Sequence, residues 1–147
     1  MDYRKQQYME LLDNKLDAVL KMLKATKKLE LTAKGTQDEM ADEADRFSTL
    51  YEQRANIIAH IQKMDEGLAD LKDLDTVLAK EGSPIIDKIK AAAKELVELD
   101  KKNMAVSKEL TEILRGNIKK IRTGRDINTA YVEAGGNVSG YYFDKTN

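Results

Sequence analysis

The 147-residue chain has no cysteine and no tryptophan, a single proline and a single histidine, and aromatics make up only 5% of it. Each scarcity removes something. Without cysteine there are no disulfides, thiolate metal sites or cysteine nucleophiles, a composition that fits a reducing compartment. One histidine, His60, excludes the two Glu-x-x-His pairs of a di-iron bundle. A serine triad would have only that base, and no nucleophile elbow accompanies it; beside Ile61 on a helix, His60 reads as a packing or surface residue. The phosphate loop Gly-x-x-x-x-Gly-Lys and the dinucleotide fingerprint Gly-x-Gly-x-x-Gly are both missing. No apolar run approaches the length that crosses a bilayer, and Met-Asp-Tyr-Arg-Lys-Gln-Gln opens an amphipathic pattern rather than a signal peptide. A cytoplasmic chain without membrane insertion is therefore expected. Neither charge dominates: 25 Lys and Arg face 26 Asp and Glu, with a pI near 5.9, which gives no global drive toward nucleic acid. Carboxylates are spread along helix faces without a distinguished pair, so no enzyme and no cofactor are expected.

What is present is helical periodicity. Charged residues reach 35%, with Ala, Leu, Glu and Lys abundant, a mixture that fits long helices packed in one domain. The dominant seam is Ile85, Ile89, Ala92, Leu96, Leu99, Asn103, Val106, Leu110, Ile113 and Asn117, an unbroken three-four spacing of the kind that packs one helix along another. Asn103 and Asn117 occupy the same seam position two heptads apart, where a buried amide fixes register at some cost in stability. Ile86, Ala93, Leu114 and Ile121 widen the stripe, so its C-terminal end can meet more than one neighbour.

The spacing predicts three helices. The first runs over about 3–34, from an Asp2 N-cap to a stop at Gly35, with Tyr8, Leu12, Leu16, Val19, Met22, Leu23, Thr26, Leu29 and Ala33 on one face. Thr36-Gln37-Asp38-Glu39 matches a capping box and opens a second helix over about 37–80. Its first seam carries Met40, Ala44, Phe47, Tyr51, Arg54, Ile58 and Ile61, and a second track carries Ile57, Ile61, Met64, Leu68, Leu71, Asp75 and Leu78, with Gly67 as the expected bend. Gly82-Ser83-Pro84 reads as the next break: glycine closes, serine caps, and proline takes the first position of a third helix over about 84–122. Short connections make neighbours antiparallel. The fold class expected is all-α, an elongated antiparallel three-helix bundle or coiled-coil hairpin over 1–123, followed by a flexible tail over 124–147.

That tail is glycine-containing and carries Ile127, Tyr131, Val132, Tyr141, Tyr142 and Phe143. Its aromatics are either a latch onto the chain's own bundle or a contact for a partner. The basic stretch of Arg115, Lys119, Lys120, Arg122 and Arg125 reads as cations complementing a helix C-terminus and covering a groove with their stems, rather than as a nucleic-acid site.

Leu50-Tyr51-Glu52-Gln53-Arg54-Ala55-Asn56-Ile57-Ile58, followed by Ile61 and Met64-Asp65, resembles the middle of the FlgN-type flagellar export chaperones. The ending resembles theirs as well: Ala130-Tyr131, a glycine-rich interval, then Tyr142-Phe143-Asp144-Lys145. The resemblance spans most of the chain through loose heptad character, and only the terminal aromatic-Asp-Lys signature is specific. It implies a cytoplasmic helical chaperone that holds flagellar hook-associated proteins before secretion and delivers them to the export gate. Carried over by position, the protein-binding surface would be Leu110, Ile113, Leu114, Ile118 and Ile121, with Tyr131 and the Tyr141-Tyr142-Phe143 cluster beyond. Helix-in-groove recognition independently asks for an apolar stripe whose internal cover is incomplete. The tail is expected to supply a reversible cover. The other reading of the same seam is a structural coiled coil that self-associates, a homo-oligomer without cargo.

Overall fold

The computed structural model describes residues 2–116. It is an all-α bundle with no strand among the described residues. α1 (Tyr3–Lys28), α2 (Gln37–Asp70), the single-turn α3 (Leu74–Val77) and α4 (Ala79–Gly116) follow one another in order. The three long helices run up, down and up, as their short connections dictate.

α1 starts where expected: the Asp2 carboxylate accepts the Arg4 N–H at 3.0 Å and so satisfies one of the free amides of the first turn. The capping box at α2 is also present. The Thr36 hydroxyl accepts the Glu39 N–H at 3.1 Å, and the Glu39 carboxylate accepts the Thr36 N–H at 3.2 Å.

Two boundaries differ from the expectation. α1 stops at Lys28 instead of near residue 34, and residues 29–36 are a non-helical strap, extended at Leu29 and Thr36 and left-handed at Ala33 and Gly35. Along the strap burial alternates, with Leu31 and Ala33 buried and Glu30, Thr32 and Lys34 exposed. Gly35 does adopt the left-handed conformation (φ 96°), but it ends the strap rather than a helix.

The second correction lies at the corner between α2 and α4. The chain turns at residues 71–78, not at Gly82-Ser83-Pro84. There the bonds Leu71 N–H to Leu68 C=O and Leu74 N–H to Leu71 C=O wind the chain at three residues per turn. Leu71, Leu74 and Leu78 therefore stay inside as the backbone reverses. Gly82 is buried within α4, where an added Cβ would stand 3.2 Å from Leu12 Cδ1 and 3.5 Å from Tyr8 Cε1. Its role is close approach of α1. Pro84 lies exposed near the start of α4, at the loss of one helical bond. Gly67, the expected bend, sits in an unbroken α2, and a Cβ there would meet Leu11 Cδ1 at 3.0 Å.

The core is three apolar clusters stacked along the bundle. Tyr8, Leu12, Leu71, Leu74 and Leu78 fill one end. Val19, Met22, Leu23, Ile61, Ile89 and Leu96 belong to the middle. The far end gathers Met40, Ala44, Phe47, Leu50 and Tyr51 of α2 with Leu110 and Leu114 of α4 and, from the strap, Leu31 and Ala33. α1 has 26 residues against 34 in α2 and 38 in the described α4. At 1.5 Å per residue it falls about 18 Å short of α4. The strap finishes the cover that α1 begins.

Candidate functional site: the strap-covered end of the bundle

At the far end, α2 and α4 form a two-helix groove. Leu110 and Leu114 are fully buried in it and Ile113 is half-buried at its edge. These are the three described members of the expected protein-binding surface, and they do come together. Ile118, Ile121, Tyr131, Tyr141, Tyr142 and Phe143 lie outside the described residues, as do Asn117, the basic stretch beyond Arg115 and the tail expected to cover the stripe. Among the described residues the cover is the strap. A partner reaching Leu110 or Leu114 has to displace it.

One polar side chain anchors the strap beside its buried Leu31 and Ala33. Glu43 Oε1 accepts the Thr32 N–H at 2.6 Å and the Ala33 N–H at 3.1 Å, while Oε2 accepts the Thr32 hydroxyl at 2.8 Å. Glu43 is 6% exposed, so this carboxylate has left water for three donors of the strap. Burial pushes its carboxyl upward, but the hydrogen bonds from Thr32 and Ala33, with the nearby Arg46 charge, outweigh it and bring the group below its ordinary value of 4.5. Ala33 has a φ of 56°, a left-handed conformation that a Cβ makes costly. The strap thus carries local strain against a single polar anchor.

Beneath this end lies a polar layer. Arg54, with no exposed surface, makes a bidentate pair with Asp100: Nη1 to Oδ1 at 2.6 Å and Nη2 to Oδ2 at 2.9 Å. Tyr51 donates its hydroxyl to the same Oδ1 at 2.6 Å, and its ring lies 4.5 Å under the guanidinium. Burial, then the Asp100 charge, pushes the Tyr51 phenol well above its ordinary value. Phe47 stacks on Tyr51 at a centroid distance of 4.5 Å. Asn103 is buried here too, and its Nδ2 has no hydrogen-bond partner among the described residues. The buried seam amide was legible in the sequence. The neutralisation of Arg54 by Asp100 was not, although an arginine on an apolar seam asks which acid it meets. Glu43 was also missed. It lies one residue before Ala44, three after Met40 and four before Phe47, so a carboxylate facing the seam was its only signal.

The opposite end presents a groove of about 770 Å³ between α1, the end of α2 and the start of α4. Lys15 and Asp65 pair in it at 2.7 Å, and Tyr8 donates to Asp75 at 3.0 Å. The Tyr8 phenol is pushed up to about 12 by burial and then by its bond to Asp75. Every one of these charged and phenolic groups has a partner. His60 is exposed on α2. None of the described helices is long and apolar enough to cross a membrane. Set against protein families, curated proteins and solved structures, the chain matches none of them.

Proposed function

We propose that the chain is a cytoplasmic flagellar export chaperone that binds hook-associated proteins and hands them to the export gate, without catalysis. The sequence resemblance motivates the reading. The observation that supports it is the manner in which the groove of Leu110, Ile113 and Leu114 is closed: a non-helical strap on one carboxylate occupies the place where α1 would otherwise continue. A helix satisfies its own backbone groups and is buried as a unit. A strap depends on few contacts and opens locally, which suits a surface that must be covered in the free protein and offered to cargo.

The test is calorimetric titration of the full chain with a hook-associated protein from the same bacterium. Ile113→Asp places a carboxylate at the edge of the groove and is expected to weaken binding at least about tenfold, equivalent to about 1.4 kcal/mol, with helix content unchanged. Binding unaffected by Ile113→Asp would put the cargo elsewhere. Failure of the intact chain to bind, with association into a defined oligomer, would instead favour the self-associating coiled coil.

A further inference from the structure

We infer that residues 29–36 are an internal stand-in for the segment this groove recognises, and that Glu43 is the residue that reads it. The inference deepens the chaperone reading and rests on it for the identity of the natural partner. The partner it specifies is a non-helical polypeptide segment with apolar side chains at alternate positions, a hydroxyl residue before the last of them, and a left-handed turn at that last position.

The strap itself shows what the groove takes. Leu31 and Ala33 enter the apolar cluster of Phe47, Leu110 and Leu114, while Thr32 between them stays exposed and turns its hydroxyl onto Glu43. Glu43 accepts two successive main-chain amides, of Thr32 and Ala33, and the Thr32 hydroxyl as well. Two main-chain contacts fix the chain direction whatever the sequence, the apolar positions select side chains, and the hydroxyl contact selects Ser or Thr. This is the grammar of a peptide site.

The stand-in is also an imperfect ligand. Ala33 holds φ 56° with a Cβ attached, a conformation that glycine takes without penalty. A segment with glycine at that position has the same hydrogen bonds and less strain, which offsets part of the advantage the strap has from being tethered beside the groove. The groove is filled in the free chain, and a better-fitting segment at sufficient concentration competes with the strap for it. Displacement needs only the strap to move, because the helices on either side carry their own hydrogen bonds.

The probe is a fluorescent synthetic peptide with the sequence of residues 29–34 carrying Ala33→Gly, titrated by anisotropy against the full chain and a Leu31→Ser variant that loosens the internal strap. Leu31→Ser is expected to bind the peptide at least about tenfold more tightly than the intact chain. Adding Glu43→Gln to that variant, or Thr32→Val to the peptide, is expected to remove at least about tenfold of the gain. Equal binding to the intact and loosened chains, or indifference to both changes, overturns the inference. Should circular dichroism show that Leu31→Ser has lost its helices, the intact chain carries the test. With millimolar peptide the Thr32 amide must lose its protection from hydrogen exchange, and unchanged protection overturns the inference. Peptide binding without binding of any hook-associated protein would sink the chaperone reading and leave this one standing. A hook-associated protein that binds while Thr32 stays protected would do the reverse.

Discussion

The two halves of this bundle close the same α2–α4 groove in different ways. Along its first half a helix lies in it: Tyr8, Leu12, Val19 and Met22 of α1 are buried against both neighbours. Along the second half a non-helical strap does the job, with Leu31 and Ala33 inside and one carboxylate, Glu43, receiving its amides. The apolar contacts are of the same kind. What differs is the backbone. Helical N–H and C=O groups bond within their own segment, so α1 leaves its site only when much of the bundle comes apart. Among the described residues the strap has no ladder of that sort and relies on Glu43. Equal burial therefore does not mean equal permanence.

The largest effect is expected at the layer between the two halves. The Arg54–Asp100 pair lies between the two halves, and Asp100→Ala would leave a guanidinium buried without its bidentate partner. The expected cost is about 3–5 kcal/mol, because removing one member of a buried pair leaves its charge uncompensated. Urea denaturation followed by circular dichroism checks it. A loss below about 1 kcal/mol would mean that the layer does not tie the halves together.

A matched pair of truncations sharpens the contrast. Leu96→Ala, under α1, is expected to cost about 2–5 kcal/mol of global stability. Leu31→Ala, in the strap, is expected to cost less than about 2 kcal/mol globally, since the strap can peel away and cap the loss. The same denaturation midpoints decide it, and equal losses would contradict the distinction.

Glu43→Gln keeps the shape and removes the charge. Charge-assisted bonds to Thr32 and Ala33 become neutral ones, with an expected cost of about 1–2 kcal/mol confined to the strap. The pH dependence has a definite sign. The Glu43 carboxyl titrates below its ordinary value of 4.5 in the folded chain, so its stabilisation is fully present above that value and is lost as pH falls through the lowered one. An NMR titration of the Thr32 amide should show this transition below pH 4.5, and Glu43→Gln should abolish it. The smallest effect expected is a gain. Asn103→Leu removes a buried amide whose Nδ2 has no partner among the described residues, and thermal unfolding should show stabilisation of about 1 kcal/mol. A loss of stability would mean that the amide is engaged with the Tyr51 phenol beside it.

Much of the architecture was readable because local rules decide it. Asp2 and the Thr36–Glu39 box fix two helix starts through bonds between near neighbours. The end of α1 was not readable from its spacing, because Leu29 and Ala33 fit a helical face four residues apart and equally an extended chain. Leu31, which the helical face leaves over, was the residue that distinguished them. The corner at 71–78 escaped for a related reason: Leu68, Leu71 and Leu74 are three apart, which suits a continuing helix and a tight turn alike. In the sequence Gly82 reads as punctuation, whereas its missing Cβ admits Leu12 and Tyr8. At the site, the apolar stripe of Leu110, Ile113 and Leu114 was legible in the period. Glu43 and Asp100 were not. Their partners Thr32 and Arg54 lie on other elements, and no local spacing rule selects a pairing across 11 or 46 residues.

Native-state hydrogen exchange on the full chain at neutral pH tests the central claim, that one half of the groove is closed by a cover that opens alone. The amides of Thr32 and Ala33 are expected to exchange through a local opening, nearly insensitive to low denaturant and at least about 2 kcal/mol less costly than the opening that releases Val19 and Met22 of α1. Exchange of all four at one free energy, with one denaturant dependence, would show that strap and helix leave together and would contradict the account.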